Sequence, residues 1–297
     1  MARTALSVAP AIAAEKMKTL DGAREFVFSD ADFRFLAQLA REHAGIALAD
    51  NKRNLVYTRV SRRLRALGLN SFRDYRNYLA THEAELVSFI NAISTNLTKF
   101  FREAHHFEHF HAQVVRPFAL GDFRKGGRFR VWSAGCSTGE EPYSIAAIVR
   151  QEIREPGRAD IRILATDIDT DVLTKAARGE YGVNSINDIP ASARQFFGPV
   201  RAGQKSEAIQ ASAELRSLIA FRRLNLIEPW PFSGKFDAIF CRNVMIYFDA
   251  PTKSDMIERF IHYLRPGGWL YIGHSESLLG SHPGLQLVGR TIYRRKA

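Results

Sequence analysis

The chain has 297 residues, 46% of them hydrophobic, enough for one large core and a smaller one, so two domains are expected. A formal charge of +11 favours an anionic partner, whether nucleic acid, lipid or acidic protein, without choosing among them. No apolar run reaches the length of a membrane span, and two cysteines, Cys136 and Cys241, are too few for a disulfide framework and fit a reducing cytoplasm.

The opening MARTALSVAPAIAAE imitates a signal peptide but is interrupted by Ser7 and Pro10, and residues 1–28 are expected to be a disordered tail. Residues 29–95 carry a helical pattern and form the first expected domain. Ser29 with Asp32 makes a capping-box signal, Phe33, Leu36 and Ala40 supply an apolar stripe, and Gly45 ends the first helix. A second helix runs from about Lys52 to Leu67 and stops at Gly68. The third opens at Ser71 with Asp74, and the fourth carries Leu86, Phe89, Ile90 and Ile93 on one face. At 100° per residue, Val56, Val60, Leu64 and Leu67 of the second helix cluster, while Arg59, Arg62 and Arg65 point the other way, either as a solvated face or as a docking surface.

Residues 96–297 form the second expected domain. It starts with a helix rich in His and Phe that ends before Pro117, after which strands and helices alternate. RFRVWSAG, IRILATDID, FDAIFCRN and WLYIGHS read as strands, the last lying behind the turn Pro266-Gly267-Gly268. EEPYSIAAIVRQEI and TKSDMIERFIHYL read as helices. Such alternation implies an α/β, doubly wound, Rossmann-like sheet with a cofactor at the carboxyl ends of its strands. About 186–223 lacks helical period and is broken by Gly and Pro, so it is expected to be an inserted, small antiparallel β-subdomain. Cys136 and Cys241 fall at predicted strand ends as buried small side chains with no catalytic role.

The loop Gly135-Cys136-Ser137-Thr138-Gly139, followed by Glu140 and Glu141, joins a strand to a helix, where a nucleotide-like ligand meets backbone amides. A dinucleotide fingerprint would require glycines where Ser137 and Glu140 stand, and two carboxylates at the helix start would repel a pyrophosphate. S-adenosylmethionine carries a sulfonium and an ammonium but no phosphate, so acids there suit it. The simpler alternative is that the glutamates favour the helix dipole. The next strand ends in Asp167, positioned to accept both ribose hydroxyl protons, with Asp169 or Asp171 as a cap for the following helix. Asn225 offers a donor and an acceptor for an adenine edge, though a lone Asn more often forms a turn. Arg242 and Asn243 close a strand at the same edge. Tyr247 follows near the reacting centre, with a packed core tyrosine as its alternative role. His105, His106, His109 and His111 invite a metal reading, but no acidic or cysteine partner accompanies them at ligand spacing, and no metal is expected.

In this order and spacing, STNLTKFFREAHHF, VWSAGCSTGEEPYSIA, ATDIDTDVL, FRRLNL and FCRNVMIYFD resemble the bacterial chemotaxis receptor methyltransferases, the CheR family. The resemblance runs from about Ser29 to the C-terminus. It implies an all-α domain, a Rossmann-like methyltransferase domain and a small β-subdomain inserted in it. By resemblance, Asn96, Thr98 and Arg102 contact the cofactor, in a segment that its residues alone mark only as an interdomain linker. A glutamate of the Glu140–Glu141 pair, Asp167, Asn225 with Leu226, and Arg242 with Asn243 complete the implied set. Arg102 would grip the methionine carboxylate as a fork.

The resemblance further implies a cytoplasmic protein-glutamate O-methyltransferase. It would act on the helices of methyl-accepting chemotaxis receptors, release S-adenosylhomocysteine and meet the membrane only through its receptors; a monomer is expected, independently of the resemblance. A glutamate side chain is already ionised at neutral pH, so Tyr247 and Arg102 are expected to position rather than move protons. Arg59, Arg62 and Arg65 would steer toward anionic receptor helices. A nucleic-acid methyltransferase is disfavoured because Cys241-Arg242-Asn243-Val244 replaces the Asn-Pro-Pro-aromatic run of base N-methyltransferases. A non-catalytic module is disfavoured because every candidate ligand position is retained.

Overall fold

The structure is a computed structural model and describes residues 24–155, 159–202, 205–276, 278 and 282–297. The chain falls into two compact units, a helical one up to Ile93 and a second from Ser94 onward, to which Ala44–Ala47 also belong.

The first unit contains α1 (Asp30–Ala44), α2 (Arg53–Leu67), α3 (Phe72–Thr81) and α4 (Glu83–Ile93). Its helix starts are local events. Ser29 Oγ accepts from Asp32 N–H at 3.1 Å while Asp32 accepts from Ser29 N–H at 3.0 Å, a reciprocal capping box. Ser71 Oγ accepts from Asp74 N–H at 3.1 Å in the same way. Gly68 ends α2 with φ +67°, a conformation open to glycine at little cost. Val56, Val60 and Leu64 are fully buried, as their spacing predicts. The core also takes in Glu85, whose carboxylate receives Arg63 at 2.9 and 2.6 Å and the Tyr75 hydroxyl at 2.7 Å. Residues 1–23 of the expected tail lie outside the described residues. Of the remainder, Phe28 is buried with its ring 4.4 Å from that of Phe72.

In the second unit, α5 (Ala104–Phe110) does not stop before Pro117 as expected. A π-helical turn, His111–Val115, carries it into α6 (Arg116–Leu120). Pro117 then sits in the first turn of α6, where its missing N–H leaves no hydrogen bond unmade. Then follow β1 (Arg128–Ala134), α7 (Glu140–Glu152), β2 (Asp160–Asp167), α8 (Thr170–Arg178), β3 (Glu180–Gly182), β4 (Phe197–Ala202), β5 (Lys205–Ala211), α9 (Ala213–Leu218) and β6 (Ile219–Arg223). The chain closes with β7 (Phe236–Cys241), α10 (Ala250–Tyr263), β8 (Leu264–Ile272), β9 (Leu285–Gly289) and β10 (Ile292–Arg295).

The large sheet has the order β6-β2-β1-β7-β8-β10-β9. Its first five strands are parallel, whereas β10 runs antiparallel to both β8 and β9. From β1 the chain proceeds outward through β2 to β6, then returns to β7 on the other side. The β1–β7 boundary is therefore the point where strand order reverses, and a crevice opens at the carboxyl ends of those strands. Both faces of the sheet are covered. Phe129 and Val131 of β1 join one apolar cluster, and Trp132 and Ala134 join the other, as a period of two requires. The small antiparallel sheet, β3-β5-β4, begins at Glu180, and β6 returns to the edge of the large sheet. Cys136 and Cys241 are buried free thiols.

Candidate active site

The loop between β1 and α7 is shaped by alternating backbone. Gly135 (φ +79°), Ser137 (φ +50°) and Gly139 (φ +97°) are left-handed. A Cβ at Gly135 would lie 2.3 Å from Val244 Cγ2, and one at Gly139 would lie 2.9 Å from Ala176 Cβ and from the Tyr181 hydroxyl. These glycines are thus required by backbone conformation and by close packing. The loop is tied to the end of β2, since Gly135 and Cys136 N–H donate to Thr166 C=O at 2.8 and 2.9 Å.

Asp167 closes β2 against this loop. Its carboxylate accepts from Ser137 N–H at 2.8 Å and from Asp169 N–H at 3.0 Å. Burial pushes its pKa up to about 6, and the neighbouring charge of Asp169 adds to the rise, against the pull of those amides. Asp169 is the helix cap, accepting from Asp171 N–H at 2.9 Å, and its other oxygen receives Asn96 Nδ2 at 2.7 Å. Asn96 C=O in turn accepts from Ser137 Oγ at 2.8 Å, so the linker after Ser94 is fastened to both sides of the crevice. Thr98 lies half-buried in that linker, and the Arg102 guanidinium donates to Leu97 C=O at 2.9 Å.

The two glutamates that sequence leaves undivided have different surroundings. Glu141 is occupied on both oxygens, by Ser133 Oγ at 2.7 Å and by Arg242 at 3.0 Å. Glu140 accepts from Thr138 Oγ1 at 2.7 Å and from its own backbone N–H, and burial raises its pKa. Arg242 is buried between acids. Besides Glu141 it meets Glu103 at 3.5 Å, donates to Arg102 C=O and lies over the Phe107 ring. Its side chain is a strut between the strand end and the linker.

Asn225 Nδ2 donates to Glu228 at 2.9 Å, and Leu226 C=O accepts from Trp230 Nε1 at 3.2 Å and Arg259 at 2.9 Å. Asn243 is left-handed (φ +60°), and Tyr247 ends the 3-10 turn Met245–Tyr247, half-buried. Phe101, Glu103, Ser137 and Asn243 account for four of the five non-glycine residues with positive φ among the described residues. All four lie on segments at this edge of the sheet, and strained backbone persists only where its surroundings over-determine it.

An acidic partner accompanies His105 and His106 after all, which corrects the sequence reading. Glu103 brings a carboxylate oxygen within 4.8 Å of a ring nitrogen of each. That carboxylate is also shared by Arg242 and by His274 Nδ1 at 3.0 Å, so a divalent cation there would confront the arginine charge. Burial tends to raise the Glu103 pKa, but the His274 hydrogen bond and the Arg242 charge prevail and hold it low. Burial, with help from Arg242, pushes His106 down to about 3, leaving it neutral. His109 and His111 turn elsewhere, toward Tyr271 at 3.0 Å and Glu152 at 2.5 Å.

In the helical unit, Arg59 donates to Ala92 and Ile93 C=O at 3.2 and 2.8 Å, satisfying the end of α4, and Arg65 pairs with Glu25 at 2.8 Å. Arg62 is exposed. Only part of the predicted cationic face is therefore open to a partner. Glu103 and Glu276 were not singled out from sequence, although an acid just beyond a predicted strand end, as Glu276 is after WLYIGHS, is a usable signal.

Comparison with known proteins accounts for both units. Residues 31–94 match the family model described as the CheR methyltransferase all-alpha domain, and residues 96–294 match its SAM binding domain. A chemotaxis protein methyltransferase of Salmonella typhimurium is 43% identical over 274 residues, covering 91% of this chain and 92% of its own length. Chemotaxis protein methyltransferase 2 of Pseudomonas aeruginosa is 41% identical over 275 residues, covering 92% and 95%. The corresponding protein of Escherichia coli is 43% identical over 269 residues, covering 89% and 91%. With both family models filling nearly the whole described chain, this protein belongs to the CheR methyltransferase family.

Proposed function

We propose that the protein transfers the methyl group of S-adenosylmethionine to glutamate side chains on the helices of chemotaxis receptors, forming methyl esters and S-adenosylhomocysteine. The observation that carries the reading is the acidic lining of the crevice. Glu140 and Asp167 stand at the carboxyl ends of β1 and β2, neither within an ion pair among the described residues, in burial that raises both pKa values. Such a site suits a cationic, phosphate-free adenosine derivative and opposes a pyrophosphate. Bound there, S-adenosylmethionine supplies an electrophilic methyl group on a positively charged sulfur.

The chain's residues then bind, orient and exclude water. Asp167 would accept the ribose hydroxyls beside its two amide hydrogen bonds, Glu140 rather than the Arg242-paired Glu141 would face the cofactor, and Asn225 with Leu226 would bracket the adenine. Asn96, Thr98 and Arg102 would close the wall, with Arg102 leaving Leu97 C=O for the methionine carboxylate. Arg242 acts as a strut, and Asn243 contributes from its constrained backbone. The acceptor carboxylate, with a pKa near ~4.3, is already ionised and needs no general base. With the cofactor bound, an oxygen of that carboxylate would take the methyl carbon, and the sulfur would keep the electron pair of the carbon–sulfur bond given up. The remaining task is alignment, in which Tyr247 positions the acceptor.

Relatives named for chemotaxis support receptors as the partner. No helix among the described residues is long and apolar enough to cross a membrane. The proposal places the protein in the cytoplasm as a monomer that meets membranes through its receptors and does not act on nucleic acid. The test is incubation with labelled S-adenosylmethionine and receptor-containing membranes, followed by alkaline hydrolysis. Volatile methanol is expected, whereas an alkali-stable label would assign the methyl group to nitrogen and overturn the reading.

A further inference from the structure

Glu276 lies just beyond β8 and is almost fully buried, yet it takes part in no ion pair among the described residues. Instead its carboxylate gathers three backbone amides from two loops. Oε2 accepts from Gly273 N–H and Asn243 N–H, each at 2.7 Å, and Oε1 accepts from Ile246 N–H at 3.1 Å. Gly273 belongs to the loop after β8. Asn243 and Ile246 belong to the loop after β7, which ends in Tyr247. The cradle is tight, since a Cβ at Gly273 would stand 2.7 Å from Glu276 Oε2 and 2.6 Å from Asn243 Nδ2.

The geometry points to Glu276 as a positioning residue for the methyl transfer, one that acts by holding the loop that carries Tyr247 to the reacting centre; this rests on the proposed function. Two features of the loop call for such a clamp. Asn243 occupies left-handed backbone, a conformation that costs free energy and relaxes unless something over-determines it. The amides of Asn243 and Ile246, in a part-buried loop, both find their acceptor in the buried Glu276 carboxylate. A carboxylate meets both needs at once, because charge-assisted hydrogen bonds to backbone N–H are the strong ones. Glu276 thus stands to Tyr247 as a supporting hydrogen bond stands to a catalytic side chain. It touches no substrate, but it determines where the tyrosine hydroxyl is carried.

The test uses Glu276→Gln, which keeps the shape and can still satisfy two of the three amides, alongside Glu276→Ala, Tyr247→Phe and the double variant with Glu276→Gln. For Glu276→Gln we expect kcat at saturating cofactor to fall roughly 10-fold, with the Kd for S-adenosylhomocysteine changed less than about 3-fold. Glu276→Ala should fall further. Tyr247→Phe should fall on its own, and adding Glu276→Gln to it should cost almost nothing more, because both act through one hydroxyl. Fully additive losses, a silent Glu276→Gln or a silent Tyr247→Phe would each overturn the proposal. Hydrogen exchange provides a readout independent of activity: the Asn243 and Ile246 amides should exchange at least about 10-fold faster in Glu276→Gln, and unchanged protection would overturn the clamp. Wild-type enzyme that yields no base-labile methyl group would sink the functional reading while the exchange result still decides whether Glu276 holds the loop.

Discussion

The titration of Asp167 gives the sharpest test of the cofactor site. Burial pushes this carboxyl up to about 6, so in the free protein it is ionised at pH 8 and largely protonated at pH 5. If ribose hydroxyls donate to it, they favour the charged form, and the bound-state pKa lies below the free one. Binding therefore releases a proton on the acid side, affinity rises with pH through about 6, and it levels off above 7. At pH 5 about one molecule in eleven is ionised, so the Kd for S-adenosylhomocysteine should be about tenfold higher than at pH 7, or about 1.4 kcal/mol. Calorimetric titration from pH 5 to 8, in two buffers of different ionisation enthalpy, reads both the affinity and the proton count. Asp167→Asn should flatten the profile and weaken binding at pH 7.5 by roughly 10- to 100-fold, the worth of one charge-assisted hydrogen bond. A flat wild-type profile would refute the ribose role, and an unchanged slope in Asp167→Asn would transfer the titration to Glu140, whose pKa burial also raises.

Other substitutions separate binding from architecture. Glu140→Gln should weaken S-adenosylhomocysteine binding about tenfold with an unchanged melting temperature, whereas Glu141→Gln should lower the melting temperature, because Arg242 is then left in the interior with one acid fewer. Equal effects from the two would show that the cofactor does not distinguish them. Gly135→Ala sets a left-handed alanine against Val244 and should cost about 2 kcal/mol or more in urea denaturation. A loss below 0.5 kcal/mol would mean that the loop relaxes freely. Glu85→Ala removes the buried partner of Arg63 and Tyr75 and should destabilise the helical unit by about 3 kcal/mol in urea melts, at the low end for a buried pair because Arg63 can turn to water. Arg59→Glu with Arg62→Glu should lower kcat/KM for receptor several-fold, more so at low salt, and spare cofactor affinity. An unchanged receptor rate would remove the docking role, and Arg59→Ala alone should act mainly on the stability of α4.

Legibility followed the range of the interactions. The capping boxes at Ser29 and Ser71 and the stop at Gly68 were readable because each is decided within a few residues. The apolar runs of β1, β2, β7 and β8 were readable because strands buried on both faces carry continuous hydrophobicity. The edge elements were not. In β9, Leu287 and Val288 are exposed, and its pattern does not announce a strand. Pro117 marked a helix end by its missing N–H, but the π turn before it lets the helix continue. Within the candidate site, the loop from Gly135 to Glu141 and the acid at Asp167 were legible because strand, loop and helix are contiguous. The pairing of Arg242 with Glu141 spans 101 residues, and that of Glu103 with His274 spans 171, so no local pattern could signal either.

By itself, the order of apolar runs, caps and glycines determined an all-α segment followed by a doubly wound sheet with acids at its strand ends, because side-chain periodicity and turn chemistry act over one or two turns of chain. Only tertiary structure decided which glutamate stays open, that Arg242 is a buried strut, that Arg59 is spent on a helix end and that Glu276 clamps the Tyr247 loop. Those outcomes depend on which polar atoms packing brings together from distant parts of the chain. Once buried, each such atom must find a partner, however far along the chain that partner lies.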